Sequence, residues 1–337
     1  MMNTYSNVSL KALNTFGIDV QAHYLAECFS VVEIQQLIDN VGLEPIFVLG
    51  GGSNMLFMGN IEGVVVRPLM QGIEVVEQTS TDVVVRAGAG VVWDDLVAFA
   101  VEHGYYGLEN LSGIPGTVGA SPVQNVGAYG VEAGQIISKV EGVLISTGKE
   151  FRLCADECKF GYRNSIFKQE LKGRAIVTAV EYRLKKKASL NLDYGLVRQR
   201  VSELGGASLS NVRKAIIEIR NSKLPAPKEQ GSAGSFFKNP EVESYVANAI
   251  LERYEQMPHY QLSDGRVKIP AGWLIEQAGW KGRSLGNAAV HSKQALVLVN
   301  KGSATGSDVM NLATAIRHDV YERFGIDLEM EVCSIGG

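Results

Sequence analysis

Apolar residues Ile34, Leu37, Ile38 and Val41 recur three and four positions apart, the spacing of a helix that buries one face. Ser30 and Glu33 supply a capping box at its start, and Gly42 a stop at its end. The apolar run 46–49 then reads as a buried strand and 64–67 as the next, so residues 1–70 form a small α/β unit. From Gly72 onward the pattern becomes richer in strands. One strand at 83–87 is broken by Gly88-Ala89-Gly90, and a helix follows over 93–103, closed by Gly104. Segments 140–146 and 150–153 predict a hairpin around Thr147-Gly148, and 175–184 a further strand.

The second half alternates. A helix at 210–221 ends at Leu224-Pro225-Ala226-Pro227, a proline pair that makes a natural domain boundary. Helices are predicted at 242–254 and 271–278, and strands at 287–290 and 295–300. Ser307 is expected to cap a final helix with Val309, Leu312, Ala313, Ile316 and Val320 on one face and Gly325 at its end. The tail 326–332 alternates strictly, with Ile326, Leu328, Met330 and Val332 facing one way and Asp327, Glu329 and Glu331 the other, as in a strand.

Composition narrows the functional classes. The chain of 337 residues is 46% hydrophobic and 20% charged, enough to bury a core. A net charge of −4 supplies no basic field, so nucleic acid is not an expected partner, and an anionic substrate would need local cations. No signal peptide and no apolar stretch of membrane-spanning length is seen, so no membrane partner is expected. Cys28, Cys154, Cys158 and Cys333 form neither a CxxC pair nor a zinc pattern, and the five histidines show no HExxH spacing, so no metal site is expected.

Two glycine-rich segments carry the chemistry. Gly50-Gly51-Gly52-Ser53-Asn54 sits between two predicted strands, where glycine lets backbone N–H groups converge on an oxyanion such as a pyrophosphate. Taken alone, it would serve equally as a plain tight turn. The second lies within a long aperiodic stretch, 108–130, of the kind that is usually functional in a compact domain. Its small residues suit a backbone passing a flat ligand, and Gln124 and Asn125 offer amide hydrogen bonds. Neither segment is a Rossmann fingerprint. The third glycine of GxGxxG is missing after Gly50 and Gly52, and after Gly88 and Gly90 that position is Trp93.

The pairing of GGGSN with IPGTVGASPVQNVGAYG resembles the FAD-binding domain of the vanillyl-alcohol oxidase type. Within that group the chain is similar, from Asn14-Thr15-Phe16-Gly17 to Leu328-Glu329-Met330-Glu331-Val332, to the UDP-N-acetylenolpyruvoylglucosamine reductases of bacterial peptidoglycan synthesis, of the first structural type. Its most specific stretches are FGYRNSIFK (160–168), GSAGSFFKNP (231–240), AGWLIEQAG (271–279) and AAVHSKQALVLVN (288–300). The resemblance implies an α+β fold. A two-part FAD-binding domain would span 1–70 and 71–223, with the tail 326–337 returning to the first part, and a smaller α/β substrate-binding domain would span 224–325. It also implies non-covalent FAD, NADPH as co-substrate, a nucleotide-sugar substrate, and a monomer working in the cytoplasm.

Residue roles follow from the same resemblance. Gly50, Gly51, Gly52, Ser53 and Asn54 become the pyrophosphate turn. Ile114, Pro115, Gly116, Gly119, Ala120, Ser121, Gln124, Asn125, Gly127, Ala128, Tyr129 and Gly130 become the wall along the flavin. Arg163 suits the grip on a substrate carboxylate, since a guanidinium can hold it in two places, although by pattern alone it reads as a surface arginine. The resemblance makes Ser235 the proton donor and sets Glu331 with Arg163 on the carboxylate; by pattern alone Ser235 is a turn residue and Glu331 faces solvent. Tyr162, Tyr194, Lys223, Asn239, Lys268 and Gln294 are implied to bind substrate, with Lys223 open to a second role at a helix C-terminus. Cys333 stands where some relatives carry Arg, and reads as a small filler. Two other readings remain at this point: a sugar or alcohol oxidase on the same fold, and a non-enzymatic flavin- or nucleotide-sugar-binding module.

Overall fold

The computed structural model describes residues 1–42, 44–225 and 230–336. It divides into two compact units. The first comprises Met1–Val8, Gln21–Gly51 and Ile61–Ser222, the second Ser9–Val20, Gly52–Asn60 and Lys223–Gly337. Ala226 and Pro227 of the predicted proline boundary lie outside the described residues.

The first unit holds two sheets. One has the strand order Asn3–Ser9, Gln21–Cys28, Ile61–Pro68, Ile46–Val48, and its last three strands run parallel. Helix α1 (Val31–Val41) lays Ile34 and Leu37 on it, against Ala26, Cys28, Val64 and Val66. Its start is the predicted one: Ser30 Oγ accepts the Glu33 N–H, while the Glu33 carboxylate reaches past Ser30 to the Phe29 N–H at 2.7 Å. Gly42 closes the helix at φ +64°. The other sheet is antiparallel, in the order Glu150–Cys154, Ile137–Leu144, Ala175–Lys185, Asp82–Gly88, Ile73–Gln78. Helix α2 (Trp93–Glu102) buries Trp93, Leu96, Val97 and Ala100 in a core shared with Val83, Val85, Val140, Val180 and Tyr182 of this sheet. Helices α3 (Val197–Glu203) and α4 (Leu209–Lys223) form a further core from Val197, Val201, Val212, Ala215, Ile216 and Ile219.

The second unit is built on an antiparallel sheet, Ser232–Ser235, Val297–Asn300, Ala288–Val290, Ser284–Leu285, with α5 (Ser244–Leu251), α6 (Ala271–Gln277) and α7 (Gly306–Phe324). Apart from the tail at 326–332, the predicted elements are present with ends shifted by a few residues. Among the elements that the sequence pattern does not predict are the strands Asn3–Ser9, Gln21–Cys28, Met55–Phe57, Ile73–Gln78, Ser232–Ser235 and Ser284–Leu285 and helix α3. Ile73–Gln78 is an edge strand with most of its side chains exposed, so it carries no alternation to read.

Two expectations are corrected. The cap of α7 is Thr305, not Ser307: Thr305 Oγ1 accepts the Asp308 N–H at 3.1 Å, and the Asp308 carboxylate accepts the Thr305 N–H at 2.8 Å. The tail 326–332 is not a strand. Its alternation is real as far as Leu328 and Glu329, but among the described residues it pairs only through an isolated bridge between Met330 and Phe237. The strand comes later, at Cys333–Ile335, parallel to Met55–Phe57. Glu331, expected on the solvent face, is only 8% exposed, because the chain on either side of it is held by neighbouring backbone.

Gly306 opens α7 where a β-carbon would lie 2.1 Å from the Phe57 carbonyl oxygen. Gly306→Ala is therefore expected to lower the thermal unfolding midpoint by about 5 °C, read by circular dichroism; an unchanged midpoint would refute the contact.

Candidate flavin and substrate site

The two glycine-rich segments meet in the first unit. A β-carbon on Gly51 would lie 2.8 Å from Gly116 Cα, and one on Gly50 would lie 2.9 Å from Thr117 Oγ1. The second segment is stitched to residues 89–93: the Val118 N–H donates to Val91 O at 2.9 Å, the Gly119 N–H to Ala89 O at 2.9 Å and the Trp93 N–H to Gly116 O at 3.0 Å. Glycine is needed here for close approach, which brings two stretches of bare backbone side by side. That is the surface an extended phosphate-bearing cofactor requires, so these residues fit FAD.

Further along, Tyr129 at φ 49° and Gly130 at φ 78° make the two-residue turn joining Gly127–Ala128 to Val131–Glu132. Two side chains expected to face the cofactor are otherwise engaged. Asn125 is buried, donates to the Glu132 carboxylate at 2.8 Å and Gly161 O at 3.0 Å, and accepts the Gly134 N–H at 2.7 Å. Its amide braces the loop and leaves only main chain for a ligand. Ser121, also buried, donates to Val118 O at 2.8 Å and is 2.7 Å from the Tyr182 hydroxyl, which must then be the donor to Ser121. Burial holds the Tyr182 hydroxyl far above its ordinary pKa, so it stays protonated for that bond.

Arg163 sits on a separate turn that bonds to this hairpin. Reciprocal 3.1 Å bonds between Gly161 and Asn164 close a turn in which Arg163 adopts φ 52°. Its Nη2 donates to Gly127 O at 2.7 Å, and its guanidinium lies 5.4 Å from the Tyr162 ring centre. A left-handed conformation costs a residue with a β-carbon about 1–2 kcal/mol, and such outliers gather at functional sites. Asn125 and Tyr129 share this conformation. Tyr194 meets the Tyr129 ring edge-on, with centroids 5.9 Å apart. Burial raises the Tyr129 hydroxyl, against the pull of the Arg220 guanidinium bonded to it.

In the second unit, Ser235 ends a strand that slips register between Ser232 and Ser235, where Gly234 takes φ 70°. Buried Phe236 and Phe237 anchor the chain just beyond it. The Glu331 N–H donates to Phe236 O at 2.9 Å and the Lys238 N–H to Glu329 O at 2.9 Å. Asn54 Nδ2 donates to Glu331 O at 3.2 Å, and the Cys333 N–H donates to Asn54 O at 3.1 Å. Asn54, Ser235 and Glu331, distant in sequence, are thus drawn together by backbone bonds.

The remaining substrate candidates divide. Asn239 Oδ1 accepts the Ala271 N–H at 2.9 Å at the start of α6, and Gln294 Oε1 would lie 3.2 Å from a β-carbon on Gly272. Lys268 is paired with Glu241 at 2.9 Å, so its charge is locally offset, contrary to the expectation of a ready cation. Lys223 is exposed at the last position of α4. Burial pushes the Cys158 thiol up to about 12 and the Cys28 thiol to about 11, which removes both from thiolate chemistry at neutral pH.

Two polar residues at this site escaped sequence reasoning. Asn110 is a lone amide in an aperiodic loop and left no signal. Arg220 lies beside the buried stripe of α4, one residue after Ile219, and a charge on that apolar face could have marked it. Its Nε donates to Gly113 O at 3.1 Å.

Residues 28–153 match the family model described as FAD binding domain, and residues 226–335 the model described as UDP-N-acetylenolpyruvoylglucosamine reductase, C-terminal domain. With the glycine-lined approach, these define an FAD-binding oxidoreductase on the vanillyl-alcohol oxidase type of fold. The chain is 50% identical over 325 residues to the UDP-N-acetylenolpyruvoylglucosamine reductase of Bacteroides fragilis, covering 96% of this chain and 98% of that one. To the enzyme of the same name from Alcanivorax borkumensis it is 46% identical, covering 96% and 94%. The crystal structure of UDP-N-acetylenolpyruvylglucosamine reductase from Thermus caldophilus superposes with a TM-score of 0.70 at 25% identity, over 100% of this chain and 99% of that one. The chain belongs to the UDP-N-acetylenolpyruvoylglucosamine reductase family.

With no room for a β-carbon at Gly51, Gly51→Ala is expected to weaken FAD binding by about tenfold or more. Flavin absorbance per protein after dialysis checks this, and full retention would contradict the role of the approach.

Proposed function

We propose that this chain reduces the enolpyruvyl ether of UDP-N-acetylglucosamine enolpyruvate to UDP-N-acetylmuramate, a peptidoglycan precursor, with NADPH as reductant. It acts as a cytoplasmic monomer on these small-molecule substrates. The observation that carries the reading is the backbone bond from Glu331 to Phe236, which brings the Glu331 main chain alongside the strand end that carries Ser235 within one unit.

FAD, when bound, would supply the redox chemistry, relaying a hydride from NADPH toward the terminal carbon of the enolpyruvyl double bond. As that bond is reduced, its electron pair moves toward the carbon joined to the carboxylate, and charge spreads onto the carboxylate oxygens. Arg163 grips those oxygens, and its bond to Gly127 O and its turn between Gly161 and Asn164 hold the guanidinium at a fixed angle. Ser235 Oγ gives its proton to the carbon next to the carboxylate. A hydroxyl is a weak acid, but the carbanion-like centre formed here is a strong base. Glu331 orients the carboxylate from the other polar group of the set. Gly50 and Gly51 would hold the cofactor pyrophosphate, and the 114–130 backbone, Gly116 included, would line the flavin. Tyr194, Lys223, Asn239 and Gln294 bind the nucleotide sugar. Lys268 helps only where substrate phosphate competes with Glu241 for it.

Stopped-flow spectroscopy separates the half-reactions. Ser235→Ala is expected to leave NADPH-driven bleaching of the flavin unchanged and to slow its reoxidation by the enolpyruvyl sugar about 10²–10⁴-fold. Reoxidation at the wild-type rate would overturn the assignment of the proton donor.

A further inference from the structure

We propose that Asn110 is a positioning residue that ties the Tyr129 turn to the loop carrying Tyr194, and so sets where Tyr194 stands when the nucleotide sugar binds. The proposal rests on the reading of Tyr194 as a substrate contact.

Asn110 is 1% exposed and spends both protons of one amide nitrogen on carbonyls from two separate segments. Nδ2 donates to Tyr129 O at 2.9 Å and to Asn191 O at 2.9 Å. Turning the carboxamide round would aim its oxygen at two other carbonyl oxygens, so chemistry alone fixes its orientation. In that orientation the Asn110 Oδ1 is buried and accepts no hydrogen bond from a described residue. A buried acceptor left unmatched is a cost, and the bridge between the two segments is what Asn110 supplies in return.

The neighbouring contacts have the same sense. Asn191 Nδ2 donates back across the gap to Gly130 O at 3.3 Å, and its Oδ1 accepts the Asp193 N–H at 3.2 Å, one residue before Tyr194. A β-carbon on Gly130 would lie 3.2 Å from that Nδ2, so glycine serves the approach as well as the turn. Leu190 and Leu192 pack with Tyr129 on the core of α3 and α4. On the far side, the Tyr129 hydroxyl is bonded to Arg220, which also holds Gly113 O. The turn assigned to the flavin wall and the loop assigned to the substrate are thereby one connected piece, and Asn110 is its buried link.

A double-mutant cycle on the flavin-loaded enzyme tests this, using Asn110→Ala, Tyr194→Ala and the pair. Steady-state kinetics with the enolpyruvyl sugar is read beside the thermal midpoint. Asn110→Ala is expected to raise KM for the sugar about tenfold with kcat within about twofold, and the pair to be no worse than Tyr194→Ala alone. Multiplying effects in the pair, or a fall in the thermal midpoint with KM unchanged, would show a merely structural asparagine and overturn the proposal. An unchanged KM in Tyr194→Ala would overturn the reading of Tyr194 itself, a distinguishable failure. Should Asn110→Ala not retain flavin, Asn191→Ala removes the side-chain bonds to Gly130 O and from the Asp193 N–H while keeping the Asn110 bridge to the Asn191 carbonyl. It is expected to raise KM about threefold with the same lack of additivity; an unaltered KM there would overturn the proposal.

Discussion

The absence of any space for a β-carbon between Gly51 and Gly116 governs the first unit. Two loops can approach to backbone contact only where neither carries a side chain on the facing side, and the strands leading into them must then be set by that approach. Gly50 and Gly119 instead leave room for side-chain atoms, the Thr117 Oγ1 and the Ala89 Cβ. The next residue, Gly52, belongs to the second unit and solves a different problem. It takes φ 61°, and a β-carbon there would fall 2.0 Å from Leu13 O. A glycine triplet that looks like one motif is therefore three separate steric requirements in succession.

In the second unit the catalytic candidates are placed by backbone rather than by one another. Ser235 follows a register slip, and the two phenylalanines after it are buried, which fixes the direction of the chain. Glu331 reaches the same neighbourhood because its N–H and its carbonyl are both engaged, by Phe236 and by Asn54. In such an arrangement the main chain bears the positional constraint on Ser235 and Glu331.

Several residues that resemblance assigns to ligand binding turn out to have internal work. Asn125 braces its loop through three bonds, Asn239 holds the start of α6, and Lys268 is neutralised by Glu241. An amide or ammonium named from a motif carries no statement of what else lies within reach. Conversely, Asn110 and Arg220 sit outside every motif and yet organise the turn at Tyr129.

What the chain determined by itself is local. The cap at Ser30, the stop at Gly42, the apolar stripe of α7 and the glycine density of 114–130 depend on residues within a few positions of each other, and all were legible from spacing and φ preference. The specific stretches around Arg163, Ser235 and Glu331 also carried the family. Tertiary structure alone decided the rest. Strict alternation in 326–332 could not reveal that, among the described residues, the tail pairs only at Met330 and that Glu331 is buried, because burial depends on which distant backbone lies alongside. Nor could the two glycine-rich segments announce that they touch. Close approach is a property of pairs of segments, and one-dimensional spacing records only what each segment permits.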